Sequence, residues 1–363
     1  MKIGWIVLSV ALGGGLLLSC TNEGPDQYFR KSTVFRCDSL TQAEVDRSAL
    51  VYDDSVVLYS LESTRIAIQN LRTGTFRTIN VAPGYSDIHA HSADSIFLFR
   101  RRNELVVLIN TSGFDVAVYH IPRIQGKKRS LMVDPLNRPI VIDSMLFVTV
   151  YPHVRLESFY DYHFECVINL SDHSCRSFLR YPDMYSGDNW WHVMGNELSR
   201  VLGAKGELVY SFPMSEKLYC YDTDGAFLRE ATCPSKYLDT FPPPAYEEAS
   251  KEELIRYVNT IPKFSSLKYD PFRKCYYRIA AHSQEMETEE RVPNYNLDRP
   301  WSVVVLDEEL HKIGEQAFPG RRYNYEDVIV SREGLLVANR ERNEEDWPKT
   351  PTTSYTLFEP VLP

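Results

Sequence analysis

What this chain lacks excludes more than what it has. It carries no basic block: Lys and Arg number 40 against 49 Asp and Glu, a formal net charge of −9. Nucleic-acid affinity rests largely on neutralising phosphates, so an acidic chain without a cationic stretch is a poor candidate for it. No G-x-S-x-G, H-E-x-x-H or phosphate-cradling glycine loop occurs, which removes the local signatures of the common hydrolases and nucleotide enzymes. The cysteines form no C-x2-C knuckle of the kind that holds structural zinc. After the first twenty residues no stretch is long and apolar enough to cross a bilayer.

The first twenty residues are a different matter. Lys2 is followed by the apolar run Ile3 to Leu12, a Gly13 to Gly15 break, and Leu17-Leu18-Ser19-Cys20. This order reads as a secretory signal ending in a lipobox, in which the Cys20 thiol takes a diacylglycerol and residues 1–19 are removed. Losing them takes away only Lys2, leaving 39 basic and 49 acidic side chains. Residues 20–32 then form a polar tether, and residues 33–363 a single domain. Six further cysteines remain: Cys37, Cys166, Cys175, Cys220, Cys233 and Cys275. Cys166 and Cys175 lie on the two arms of one expected hairpin, where a disulfide is conceivable. Cys220 and Cys275 sit inside apolar runs and are expected to be buried thiols.

Beyond the tether the dominant signal is short alternating runs broken by turn residues. Asp94 to Phe99, Glu104 to Asn110 and Phe114 to Ile121 read as three strands in succession, joined at Arg101 to Asn103 and Thr111 to Gly113. One such unit cannot bury its own faces. Comparable units run over 55–81, 130–181, 197–233, 264–320 and 324–360, which makes a radial repeat, an all-β propeller of six blades or seven, the expected fold. Turns at Ser171 to His173 and Asp222 to Gly225 use residues that tolerate positive φ. The last unit is short of an outer strand, and an orphan strand at Thr33 to Leu40 is placed to supply it.

Two features interrupt or repeat the pattern. About residues 242–262, after Pro242 to Pro244, Leu254, Tyr257, Val258 and Ile261 fall on one face of an amphipathic helix inserted between blades, covering a rim or a strand edge. Leu131 to Arg138 resembles Leu267 to Lys274, each with an Asp-Pro turn that reads as structural.

The lipobox, the repeated β units and the KYDPFRKCYYRIA stretch, Lys268 to Ala280, together resemble domain-of-unknown-function lipoproteins of the Bacteroidota, similar to TolB-like six-bladed propellers. Phe264 to Ala281 is the most specific part of the resemblance. It implies a propeller held on the outer membrane in the cell envelope, on the periplasmic or the surface side, and brings no catalytic residues with it.

Three groups of residues could carry chemistry. His89 and His91 in DIHAH lie two apart at the start of a strand expected to line the channel, a spacing able to grip a divalent metal if another blade adds a ligand. Trp190, Trp191 and His192 in DMYSGDNWWH combine flat apolar faces with hydrogen-bonding groups suited to sugar or peptide recognition. Arg321 and Arg322 precede the last blade and could clamp an anion at the channel mouth. No cofactor is called for. The expected role is a non-catalytic propeller, anchored through Cys20, that binds a glycan, a peptide or an envelope protein; the alternative is an exported carbohydrate-active hydrolase or lyase with its site at the channel mouth.

Overall fold

The computed structural model describes residues 28–36, 47–52, 55–60, 64–70, 73, 75–92, 95–100, 104–110, 112–122, 129–133, 136–152, 162–185, 198–238, 250–340 and 354–361. They form six antiparallel sheets in a β-propeller arrangement. In chain order the first sheet holds β2 (Arg47–Tyr52), β3 (Ser55–Ser60), β4 (Arg65–Asn70) and β5 (Phe76–Asn80), following β1 (Phe29–Arg36), which belongs elsewhere. The second holds β6 (Asp87–Ser92), β7 (Ser95–Arg100), β8 (Leu105–Ile109) and β9 (Asp115–His120). The hairpin expected over 94–121 is therefore the outer three-quarters of this sheet, and the DIHAH segment is its first strand.

Where six or seven alike blades are expected, five sheets are plainly four-stranded and the remaining one has five strands. In that third sheet, β10 (Arg129–Met132) and β11 (Ile140–Ile142) both pair with β12 (Met145–Pro152), one along each half of it, and β13 (Glu165–Asn169) and β14 (Cys175–Phe178) follow. The first strand is thus broken in two. The interrupting segment carries Leu136, Asn137 and Arg138.

The fourth sheet holds β15 (Ser199–Leu202), β16 (Leu208–Ser211), β17 (Lys217–Tyr221) and β18 (Phe227–Thr232). The helix α1 (Lys251–Thr260) then leads into the fifth, β19 (Lys263–Asp270), β20 (Cys275–Ala281), β21 (Trp301–Leu306) and β22 (Lys312–Phe318). The sixth is β23 (Tyr323–Val330), β24 (Leu335–Asn339), β25 (Ser354–Pro360) and, from the other end of the chain, β1. Phe29 pairs with Pro360 and Arg36 with Ser354, so the orphan strand does complete the last sheet. It begins at Phe29, inside the stretch expected to be tether, and the boundary set at Thr33 is corrected accordingly. The Phe29 ring is 1% exposed against Tyr277 and Phe318, burial that a solvated spacer would not have.

The core lies between sheets, not around one centre. Along β21, Trp301, Val303 and Val305 face the sixth sheet while Val304 and Leu306 face the fourth, the period-2 alternation of a strand with both sides covered. That is why WSVVVL is continuously apolar. Arg278 crosses the same interface: its guanidinium donates to the carbonyls of Ser215, Glu216 and Cys233 and lies 3.3 Å over the Phe264 ring.

Helix α1 is capped at both ends. The Ser250 hydroxyl accepts from the Glu253 amide and the Glu253 carboxylate accepts from the Ser250 amide, a capping box. At the C-terminus Arg299 donates to the Val258 and Ile261 carbonyls and Gln284 to the Asn259 carbonyl, which satisfies groups that a helix end leaves open. Leu254, Tyr257, Val258 and Ile261 are half-buried, as their spacing predicts, and the last three pack against the core between the third and fourth sheets. No helix of the described residues is long and apolar enough to cross a membrane.

Cys166 and Cys175 are free thiols. Cys166 stands opposite Ser177, and Cys175 opposite Ile168, so the register offsets the two by a residue pair and the disulfide considered from sequence does not form. Cys220, Cys233 and Cys275 are free and buried; Cys37 lies outside the described residues.

Candidate functional site

The first strands of neighbouring sheets touch around the axis, β2 with β6, β15 with β19, β19 with β23 and β23 with β2. The ends of β15, β19 and β23 converge on a cavity of about 480 Å³. Leu202 closes β15, Tyr269 stands next to the end of β19 and Val330 closes β23, and all three line it. The broken strand of the third sheet completes the wall with Leu136, Arg138 and Ile140. Helix α1 and the Arg321-Arg322 turn precede β19 and β23 and so belong to the opposite, starting mouth of the channel.

Behind the cavity wall lies a polar cluster contributed by several sheets. Arg200 on β15 is 4% exposed, with Nε 2.9 Å from Glu165 Oε2, and it donates to Asn137 Oδ1 at 2.6 Å and to the Phe147 carbonyl at 2.9 Å. Asn137 Oδ1 also accepts from the Thr149 hydroxyl at 2.9 Å. Burial lifts the Glu165 carboxyl to about 7, against the opposing pull of Arg200 and of the Tyr210 hydroxyl, which donates to Oε2 at 3.3 Å. Arg138 stands 3.9 Å from Asp327, whose other oxygen accepts from the Tyr355 hydroxyl at 3.1 Å. A buried ion pair is expensive to desolvate and persists only with additional hydrogen bonds, which this cluster supplies.

His89 on β6 is 6% exposed, and its Nδ1 has no hydrogen-bond partner among the described residues. Burial, then the charges of Arg138, His91 and Arg200, hold its pKa down to about 3, so the ring is neutral. His91 is exposed and falls where the pairing register shifts between Ala90 and Ser92. The even spacing that suggested two equivalent ligands therefore gives two unlike environments. Among the described residues no group of three or more His, Cys, Asp or Glu side chains is placed to hold a metal.

Arg321 and Arg322 have different surroundings. Arg321, at φ +61°, donates to the Asn294 side chain and the Pro293 carbonyl, tying down the excursion that precedes β21. Arg322 is exposed, 5.9 Å over the Tyr323 ring. Trp190, Trp191, His192 and Cys20 lie outside the described residues.

Sequence reading did not single out Arg138, Arg200 or Lys268, which the channel brings together, nor Arg332 at its rim. The repeated Asp-Pro turns were the available signal. Asp270 is structural as expected, accepting from the amides of Phe272 and Arg273 and from the Tyr277 hydroxyl. Yet the same turn puts Pro271 and Phe272 on the cavity wall, and its echo in the third sheet puts Leu136 and Arg138 there.

No curated protein matches the chain. A crystal structure of a DUF4221 family member from Bacteroides vulgatus superposes with a TM-score of 0.76 at 20% identity, covering 93% of this chain and 100% of that one. A structure of a protein from Bacteroides fragilis gives a TM-score of 0.53 at 10% identity over 93% of this chain and 96% of its own. The family model described as domain of unknown function DUF4221 matches residues 65–317, and with that match over most of its length this chain belongs to the DUF4221 family.

Proposed function

We propose that this chain is a six-bladed, non-catalytic binding propeller, exported and held on a membrane through lipid on Cys20, which takes a ligand into the cavity where the first strands end. The observation that carries this is the lining itself. About 480 Å³ is within the ordinary range of ligand cavities, and its wall is largely aliphatic and aromatic with a few charged groups. A hydrolase or lyase needs a proton donor or acceptor at the reacting bond. Among the described residues the lining holds no carboxylate, histidine, serine, threonine or cysteine, Lys268 and Tyr269 are its proton-transferring side chains, and Glu165 stands behind Arg200. The ligand classes are those the sequence raised, a glycan, a peptide or the end of an envelope protein.

The test is a thermal-shift panel on residues 21–363, which contain every described residue. A ligand at a hundred times its Kd adds about 2.7 kcal/mol of stability, a shift of a few degrees. Val201→Trp, which fills the cavity from β15, is expected to abolish the shift while the variant still melts cooperatively. A shift unchanged by Val201→Trp moves the site elsewhere; no shift with any member of the panel rejects small-ligand binding. Anchoring is checked separately by radiolabelled palmitate, whose incorporation Cys20→Ala is expected to eliminate.

A further inference from the structure

The charge on the cavity wall is one-sided. Among the described residues Arg138, Lys268 and Arg332 bring basic side chains to it and no Asp or Glu does, although the chain as a whole has a net charge of −9; the Arg200 side chain is buried just behind the wall. Arg200 is fixed from behind by Glu165, Asn137 and the Phe147 carbonyl, and Arg138 by Asp327. Cations already held in place lose little rotamer freedom when a ligand arrives, so less of the interaction is spent on ordering. The walls between them and solvent are apolar, Leu267, Phe272, Val328 and Val330 among them, and low-dielectric walls focus the field of the buried cations into the cavity. Next to Arg138 and Arg200 stands His89, buried and with one ring nitrogen unpartnered among the described residues. Buried polar atoms without partners are rare in native proteins and call for a reason.

We infer that the occupant is a small organic acid whose apolar body lies against Leu267, Phe272 and Val328 and whose carboxylate faces Arg138 and Lys268. This rests on the binding reading above and adds the ligand's charge and shape. The guanidinium fork matches a carboxylate, and the bond is charge-assisted. A neutral molecule of the same size would fill the apolar space but make no charge-assisted bond.

The test uses residues 21–363 and two matched pairs of probes, decanoate with decanamide and 4-phenylbutyrate with 4-phenylbutyramide, followed by isothermal titration. The acids are expected to bind at least about tenfold more tightly than their amides, the difference expected when charge-assisted hydrogen bonds replace neutral ones. Their affinity is expected to drop with added salt and to be lost in Arg138→Met and in Val201→Trp. Arg138→Met leaves Asp327 without that cation and could impair folding, so Val201→Trp, which changes no charge, stands as the independent variant. Amides binding as tightly as acids would overturn the inference and leave the binding reading standing. Acid binding that survives Val201→Trp would overturn it by placing the acid outside this cavity. Failure of both series to bind would also overturn it, with the glycan and peptide panel then deciding whether a binding site exists at all.

Discussion

Single buried side chains give this protein a response to pH, and they act with opposite signs. Glu165 titrates near 7 in the folded chain against 4.5 for an ordinary glutamate. Between those values the folded state keeps a proton the unfolded state has released, so its contribution to stability falls as pH rises through that window. His89 and His282 are held at about 3 and about 4 against 6.5, chiefly by burial. Below pH 6.5 the unfolded chain binds the extra protons, and stability is lost as pH falls towards those lower values. Denaturant midpoints measured from about pH 4 to about pH 8 on the wild type and on Glu165→Gln separate the two effects. Relative to the variant, the wild type is expected to lose stability as pH rises from about 4.5 to about 7, by up to a few kcal/mol; parallel profiles would show that Glu165 titrates as an ordinary carboxylate. None of this was legible from the sequence. His89 stood out because DIHAH is an unusual string, but Arg200 in LSRVLG and Glu165 in FECVIN look like ordinary strand residues, and only the ring of sheets brings them to one point.

Elements were read more reliably than sites, because a strand or helix announces itself by its own period. Each of the six β units lies within a few residues of a described sheet, and the apolar face of helix α1 is the one its spacing indicated. The misses were also local. The strand β2 (Arg47–Tyr52) was not identified, and the Asp-Pro turn within Leu131 to Arg138 was read as structural without the break that this segment makes in the first strand of its sheet. Pairing with β12 on both sides of the break is a tertiary fact that no period within the segment encodes. Helix α1 offers a prediction at this scale. Its hold depends on Arg299, which is fully buried and bridges the Val258 and Ile261 carbonyls. Arg299→Leu is expected to raise hydrogen exchange and proteolytic cleavage over 251–260, while exchange in β20 and β21 changes little; loss of protection in both regions together would mean that the helix and the fifth sheet unfold as one unit.

At the scale of the whole molecule the controlling feature is closure. The ring is completed by β1 lying on β25, and Phe29 occupies the core between the fifth and sixth sheets together with Trp301, Tyr323 and Phe358. The sequence hinted at it only through a strand without a neighbour and a last blade short by one. Deleting residues 21–36 is expected to expose the edge of β25 and remove the Phe29 ring, which alone costs about 3–5 kcal/mol by analogy with other buried aromatic truncations. Size-exclusion chromatography should then show aggregation that the full chain does not. A truncated chain that stays monomeric with an unchanged melting temperature would show the closing strand to be dispensable.

The same closure fixes an order of events during synthesis. Hydrogen bonds join Arg30 to Glu359 and the Tyr28 carbonyl to the Val361 amide, across nearly the full length of the chain. All the other described strands lie between β1 and its partner β25 in the chain. Every other sheet completes from segments that follow one another, and each can form as it appears. Among the described strands β1 alone has to wait for a partner from the far end of the domain, so the first strand of the ring is the last to be paired.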